Sequence, residues 1–112
     1  MLDPVWLAPE ILDEAPYDEK VDCYALGVIM WELLARDHPF NEYNHEFTYQ
    51  LEDAIRAGVR PTIPKRQATD PEQLHSKYAE LMQSCWAPRS SERPCADEIC
   101  LQLQELYEQS IV

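Results

Sequence analysis

Hydrophobic positions follow one another almost without a break between residues 21 and 36. A helix that is apolar on every side lies in the middle of a protein, because it has no face to offer to water. One acid, Asp22, falls in the first turn of this stretch, where the helix dipole and the unpaired amides favour negative charge. The pattern predicts a central buried helix over residues 21–36, which His38 and Pro39 bring to an end.

Shorter helices are predicted around this centre. Residues 4–14 indicate a short helix or turn held by two prolines, and residues 61–71 indicate an irregular connector. Apolar residues recur at helical spacing in 45–58, 72–85 and 95–109, and a glycine closes the first of these segments. No segment has a convincing strand pattern, so the sequence predicts an all-α fold with about four further helices around the central one. The three apolar stripes comprise Phe47, Leu51, Ala54, Ile55 and Val59; Leu74, Tyr78, Leu81, Met82 and Cys85; and Ile99, Leu103, Leu106 and Tyr107.

Composition limits the classes of protein that remain possible. The 112 residues are 46% hydrophobic, which suits one packed domain or part of one and excludes a disordered chain. With 21 acidic and 9 basic side chains, the formal net charge is −12. Such a surface repels phosphate groups, so nucleic acids and anionic membranes are not expected as partners. We expect no signal peptide, and the apolar run is too short to span a bilayer.

Four cysteines, Cys23, Cys85, Cys95 and Cys100, lie without the Cys-x-x-Cys spacing that is typical of metal sites. Three of them fall inside the predicted helical patterns. We expect all four to be reduced, buried thiols of an intracellular protein, with a cytoplasmic location.

The order of short motifs resembles a eukaryotic protein kinase. Trp-x-Ala-Pro-Glu at 6–10 precedes Tyr-x-x-Lys-x-Asp-x-Tyr-x-x-Gly-Val-x-x-Trp-Glu-Leu, which begins at Tyr17, and then Pro-Phe. Gly-x-Arg-Pro-x-Ile-Pro at 58–64, Cys-Trp and Arg-Pro continue the match in the family's order. The resemblance implies that residues 1–112 are a partial kinase domain. They would be the C-terminal part of the large lobe, from the end of the activation segment to the last helix, without the N-lobe or the catalytic loop.

The branch of the family is indicated by single residues. Cys-Trp and Arg-Pro are similar to the tyrosine-kinase and tyrosine-kinase-like branches, and Lys20, Tyr24 and the Pro39-Phe40 pair favour the latter. Its members mostly phosphorylate serine and threonine. Val5 replaces the basic residue of tyrosine kinases, and the Gly-Thr pair usual in serine/threonine kinases is also absent. The resemblance implies a parent that transfers the γ-phosphate of ATP to serine or threonine hydroxyls of proteins, with tyrosine as the second choice.

The resemblance also gives roles to individual side chains. Trp6, Leu7 and Ala8 would line the loop that receives the substrate residue after the phosphorylated one. Asp22 would accept hydrogen bonds from the backbone of the catalytic loop. Trp86 would wedge between the last two helices, and as a buried aromatic it would belong to the core on any interpretation.

Glu10 and Arg93 would form a buried ion pair that ties the activation segment to the last helix. Without the family, the same two residues would be interpreted as solvated surface charges. Removing one partner of a buried pair leaves the other charge unmatched, at a cost of about 3–5 kcal/mol.

Phosphoryl transfer needs parts that these residues do not contain. A kinase uses a glycine-rich loop, a lysine, a catalytic loop and a magnesium-binding aspartate. Here Gly27 and Gly58 are the only glycines, and Asp-Phe-Gly does not occur. We therefore predict no catalytic, cofactor-binding or metal-binding residue, no activity of the chain alone, and ATP and magnesium only for a complete parent domain. The alternatives are a pseudokinase remnant or a non-catalytic protein-interaction module that docks through helix 45–58 and the substrate loop.

The missing catalytic loop and its preceding helix would leave part of the central helix uncovered. Three or four of Leu26, Ile29, Met30, Trp31 and Leu33 are expected to be exposed, at about 1.5–3 kcal/mol each. The chain alone is therefore expected to be molten, sticky or dependent on a partner. The expected partners are a protein substrate or the remainder of the kinase domain, and the oligomeric state is left open.

Overall fold

The computed structural model describes residues 4–42 and 48–111, in which all regular structure is helical. The all-α prediction is confirmed for this part of the chain, and none of its helices combines the length and apolarity needed to cross a membrane. Five α-helices and two short 3₁₀ turns follow one another. The α-helices are α1 (Pro9–Leu12), α2 (Lys20–Ala35), α3 (Thr48–Arg56), α4 (Glu72–Cys85) and α5 (Ala96–Ser110), and the 3₁₀ turns are Pro4–Trp6 and Ser90–Glu92.

The central helix α2 begins and ends one residue before the predicted bounds of 21 and 36. Its end is set by Arg36, which adopts the left-handed conformation (φ 55°) and donates its amide hydrogen to the Glu32 carbonyl at 2.8 Å. Cys23, Tyr24 and Val28 on α2 lie in the main core, which α4 and α5 complete with residues such as Met82, Cys85 and Ile99.

The prediction that three or four apolar residues of α2 stay exposed is wrong in number. Leu33 and Ile29 are exposed, at 71% and 43%, whereas Leu26 is half-buried and both Met30 and Trp31 are buried. Neighbouring segments cover the last two. The indole Nε1 of Trp31 donates to the carbonyl of residue 62 at 2.8 Å, and a tyrosine hydroxyl on α4 donates to the carbonyl of residue 30 at 2.7 Å.

A second, smaller core lies where α3 meets the start of the chain. Leu51 and Ile55 of α3 pack with Val5 and Phe40. The helix ends at Arg56 and is closed, as predicted, by Gly58, whose φ of 101° few other residues adopt. The amides of residues 58 and 59 donate to the carbonyls of residues 55 and 54, which is the hydrogen-bond pattern of a Schellman motif. Phe47, the first residue of the predicted stripe, lies outside the described residues.

The predicted burial of all four cysteines is wrong for two of them. Cys23 and Cys85 are buried, but Cys95 and Cys100 are exposed. Cys95 occupies the cap position before α5, and Cys100 follows the buried Ile99, so that it falls on the outer face of the same helix. The pattern indicated a helix correctly, but not which of its positions faces the core.

Candidate functional site

The guanidinium of Arg93 lies in the interior and is paired with the carboxylate of Glu10. Nη1 is 2.7 Å from Oε2 and Nη2 is 2.9 Å from Oε1, so the two planar groups meet with two parallel hydrogen bonds. The side chain of Arg93 is fully buried, and that of Glu10 is 16% exposed. Paired, charge-assisted bonds of this geometry are the strong ones, because both the charge and the shape of the two groups are matched.

Every remaining N–H of Arg93 also has an acceptor. Nε donates to the Ala87 carbonyl at 2.9 Å, while Nη1 and Nη2 donate to the carbonyls of Lys20 and Pro88, both at 3.3 Å. In return, Nζ of Lys20 donates to the Arg93 carbonyl at 2.5 Å. The five donors of the guanidinium are thus satisfied, and one side chain ties α1, the start of α2 and the loop before α5 together.

Two arginines lie against the ring of Tyr24. The guanidinium carbons of Arg60 and Arg93 are each 5.1 Å from the ring centroid, within the range of cation–π attraction. Arg60 also donates to the carbonyls of Trp86 and Ile55, at 3.0 and 2.9 Å. Burial raises the pKa of Tyr24 and lowers the pKa of Arg60. The hydrogen bonds from Arg93 lower the pKa of Glu10 despite its burial.

The predicted substrate loop, residues 6–8, contacts α2 and the segment that follows it, through the side chain of Trp6. Nε1 of Trp6 donates to Oε1 of Glu32 at 2.6 Å, and its ring makes an edge contact with His38 at 5.9 Å between centroids. Trp6 and Leu7 are half-buried, whereas Ala8 is fully buried in the main core. Only the first two side chains therefore have surface that a substrate can contact in this structure.

The structure shows where two other predicted site residues lie, but it does not test their roles. Asp22 lies in the first turn of α2 with its surface exposed to solvent, as the sequence predicted for its position. Trp86 directly follows α4 and is buried in the core that also contains Leu81 of α4 and Ile99 of α5. Their proposed contacts, with a catalytic loop and between two helices, remain predictions.

A further ion pair, which joins the end of α1 to α3, was not predicted from the sequence. Nε of Arg56 is 2.8 Å from Oδ1 of Asp13, and its Nη2 donates to the Leu12 carbonyl at 2.6 Å. The pairing of this arginine cannot be recognised from the sequence, because its partner lies more than forty positions away. Glu32 was also missed, although an acid within an apolar run is a sign that a polar partner is near.

An apolar face runs over α2, α4 and α5. A groove of about 370 Å³ lies between Leu33 and Leu34 on α2 and Leu74 and Tyr78 on α4. A second groove of about 280 Å³ is also lined by Leu74 and Tyr78, and continues onto α5 at Tyr107. The two grooves share two residues and therefore form one surface. We define the apolar face by Ile29, Leu33, Leu34, Leu74, Tyr78, Leu103, Leu106 and Tyr107.

Comparison with known proteins agrees with the order of the motifs. Residues 1–103 match the protein kinase domain family. The chain belongs to this family. A further similarity is to the cyclic GMP-binding protein C of Dictyostelium discoideum, with 45% identity over 92 residues, which cover 81% of this chain and 3% of that protein.

Two other relatives are named as serine/threonine kinases. The probable serine/threonine-protein kinase roco5 of Dictyostelium discoideum is 40% identical over 95 residues, which cover 82% of this chain and 3% of the relative. The serine/threonine-protein kinase STY46 of Arabidopsis thaliana is 38% identical over 104 residues, which cover 90% of this chain and 16% of the relative. The kinase chain described here thus spans only a small part of the length of these proteins.

Proposed function

We propose that residues 1–112 form the C-terminal part of the large lobe of an ATP-dependent protein kinase that phosphorylates serine or threonine hydroxyls. The observation that carries the proposal is the buried pair of Glu10 and Arg93, which joins the first and last kinase motifs of the chain across 83 positions. The names of the relatives support serine and threonine as acceptors. The chain alone would transfer no phosphate, because ATP and magnesium would be bound by other parts of a complete domain.

The tyrosine-kinase-like branch is the finer assignment that we favour. Lys20, one of the residues that suggested this branch, donates to the Arg93 carbonyl, and the ring of Tyr24 contacts the guanidinium groups of Arg93 and Arg60. Both residues therefore contact the ion pair or its neighbour rather than solvent alone. These contacts give Lys20 and Tyr24 a structural role, which supports the assignment to this branch.

In this proposal the substrate loop receives the residue that follows the phosphorylated one. Trp6 and Leu7 would provide the contact surface, and Ala8 would support the loop from inside the core. Asp22 would accept backbone hydrogen bonds of the catalytic loop, for which its exposure at the start of α2 leaves room. Trp86 would fix the packing of α4 and α5 beneath them.

The remainder of the kinase domain is the partner that we assign to the apolar face. Ile29 and Leu33 present two neighbouring turns of a helix whose other sides are buried, and such a surface favours association. The other proposed partner is the protein substrate. The net charge of −12 disfavours nucleic acids, and the cytoplasm is the proposed location, which fits thiols that form no disulfide.

A chimeric kinase tests the proposal. The segment of STY46 that aligns with this chain is replaced by residues 1–112, and phosphate transfer to serine, threonine and tyrosine peptides is measured, with unaltered STY46 as the positive control. We expect transfer to serine or threonine. A chimera that folds and binds ATP but transfers no phosphate would favour the alternative, a pseudokinase remnant or a non-catalytic interaction module. For that module, α3 offers little apolar surface, because Leu51 and Ile55 are buried inside the chain.

A further inference from the structure

Three described tyrosines are largely exposed, and one of them lies outside the helices. Tyr17 is 66% exposed, Tyr107 is 61% exposed and Tyr49 is 58% exposed. Tyr49 belongs to α3 and Tyr107 to α5, whereas Tyr17 lies in the connector of residues 13–19 between α1 and α2. A side chain in a short exposed connector can enter another protein's cleft more easily than one whose backbone is part of a helix.

Within the described residues, Tyr17 makes no hydrogen bond through either its backbone or its hydroxyl group. The connector is instead held at its two ends. The Ala15 amide donates to the Glu10 carbonyl at 2.9 Å, and the Lys20 amide donates to Oδ1 of Asp18 at 3.0 Å. Pro16 restricts the residue before it to extended backbone. Tyr17 is therefore presented on an anchored connector and can change its conformation without breaking a bond.

The connector is also strongly acidic. Asp13 and Glu14 precede Tyr17, and Asp18 and Glu19 follow it directly. Two bases lie beside it: Arg56 is paired with Asp13 at the start of the connector, and Lys20 donates to the Arg93 carbonyl at its end. In the described part of the chain, neither is paired with Asp18 or Glu19, the two acids next to Tyr17. Complementary charge guides a substrate into a cleft and selects among substrates, so a basic cleft would recognise this connector.

We propose that Tyr17 is a phosphorylation site for a protein tyrosine kinase whose substrate cleft is basic. In the reaction, Oη of Tyr17 forms a bond to the γ-phosphorus of ATP while the bond from that phosphorus to the β,γ-bridging oxygen breaks. ADP leaves, and the hydroxyl proton passes to the base of the modifying kinase. The product carries a dianionic group among four carboxylates, at the junction of α1 and α2.

The test compares each tyrosine in the chain with the same tyrosine in a peptide. The chimera of STY46 that contains residues 1–112, and peptides of residues 12–22, 44–54 and 102–112, are incubated with Mg-ATP and a tyrosine kinase whose substrate cleft is basic. The phosphorylation rate of each of the three sites is measured by mass spectrometry. The peptides account for the sequence preference of the enzyme, so the ratio of the two rates reports the structure. We expect a ratio near one for Tyr17 and ratios at least about fivefold lower for Tyr49 and Tyr107, whose helices must open locally.

A second arm tests the role of charge. Replacing Asp18→Asn together with Glu19→Gln keeps a side-chain oxygen at position 18 that can accept from the Lys20 amide. The double change is expected to slow phosphorylation of Tyr17 severalfold, by an amount that shrinks as salt rises. Glu105→Gln on α5 is the matched control and should leave the rate at Tyr17 unchanged. A ratio for Tyr17 as low as those of the helical tyrosines, or equal ratios at all three sites, would overturn the proposal. If the phosphorylation rate of Tyr17 is the same with and without the two acids, the assignment of a basic cleft would be overturned.

Discussion

Gly27 on α2 and Cys85 on α4 touch so closely that no side chain fits between the two helices. A Cβ atom built on Gly27 would lie 2.8 Å from Cβ of Cys85 and 3.0 Å from the Met82 carbonyl oxygen. The first contact is shorter than real Cβ atoms make, and the second involves backbone that cannot turn away. The crossing of the two largest helices of the core thus depends on the absence of a side chain at this position.

Gly27→Ala is therefore expected to destabilise the chain. Alanine gains about 1 kcal/mol in helix propensity. Two contacts this short, one of them with backbone, place the overpacking cost in the upper part of about 1–3 kcal/mol, so we expect a net loss of about 1–2 kcal/mol. Because the chain alone is expected to be molten, both variants are made in the chimera with STY46, and the loss of stability is measured from its thermal melt followed by circular dichroism. Glu80→Ala, on the exposed face of α4, is the control and should change stability by less than about 0.5 kcal/mol. A Gly27→Ala chain as stable as the control would contradict the tight crossing.

The buried ion pair should have a larger effect on stability than the exposed one. Glu10→Gln leaves the guanidinium of Arg93 without a counter-charge in the interior. In the folded chimera with STY46, we expect thermal melts to show a loss of about 3–5 kcal/mol in unfolding free energy. The matched control is Asp13→Asn, which removes the carboxylate that faces the half-exposed Arg56 and should cost less than about 1 kcal/mol. If both variants lose the same amount of unfolding free energy, the result would indicate that the pair of Glu10 and Arg93 is exposed to solvent.

Acidic pH should remove the stabilisation that the ionised carboxylate of Glu10 gives to the fold. Since the pKa of Glu10 in the folded chain is lowered from its ordinary value of 4.5, the pair stabilises the chain fully above that value. The contribution is lost as the pH falls through the lowered pKa of the folded state. In the chimera with STY46, we expect the difference in unfolding free energy between the unaltered protein and Glu10→Gln to be constant from neutral pH down to about 4.5 and to narrow below it. A stability difference between the two proteins that grows as the pH falls would show that the pKa of Glu10 is raised in the folded state rather than lowered.

Tyr24, which is buried, and Tyr78, which is half-buried, should respond in opposite ways to loss of their hydroxyl groups. The hydroxyl of Tyr24 is buried and has no hydrogen-bond partner among the described residues. Tyr24→Phe should therefore leave stability unchanged or raise it, because an unsatisfied buried polar group costs about 1–3 kcal/mol. Tyr78→Phe removes the bond to the Met30 carbonyl and should cost about 0.5–1.5 kcal/mol. Parallel thermal melts of the two variants, each made in the chimera with STY46, check this. A marked loss of stability in Tyr24→Phe would reveal a partner for its hydroxyl.

The fold could be predicted from the sequence because its helices carry strong local signals. The apolar run fixed α2 to within one residue, and the stripe from Leu74 to Cys85 lies on a helix with the predicted bounds of 72 and 85. Burial was harder to predict than helicity. Met30 and Trp31 are covered by segments distant in sequence, and Cys100 has the same local pattern as buried helical residues but faces solvent.

The candidate site could be predicted only where the order of motifs supplied long-range information. Nothing in the spacing of Glu10 and Arg93 brings them together across 83 positions, but the kinase resemblance did. The bond from Trp6 to Glu32 was not foreseen, because it depends on how the loop folds back over α2. Such contacts follow from tertiary packing, on which local periodicity carries no information.

The central claim is that the apolar face of α2, α4 and α5 belongs against the rest of a kinase domain. Calorimetry with uptake of the dye anilinonaphthalene sulfonate tests it on two proteins, the chain alone and the chimera in which it completes STY46. We expect a broad melt with strong dye uptake for the chain alone, and a sharp melt with little dye uptake for the chimera. A sharp, cooperative melt of the isolated chain without dye uptake, or a chimera that still binds the dye through Leu33, would contradict the claim.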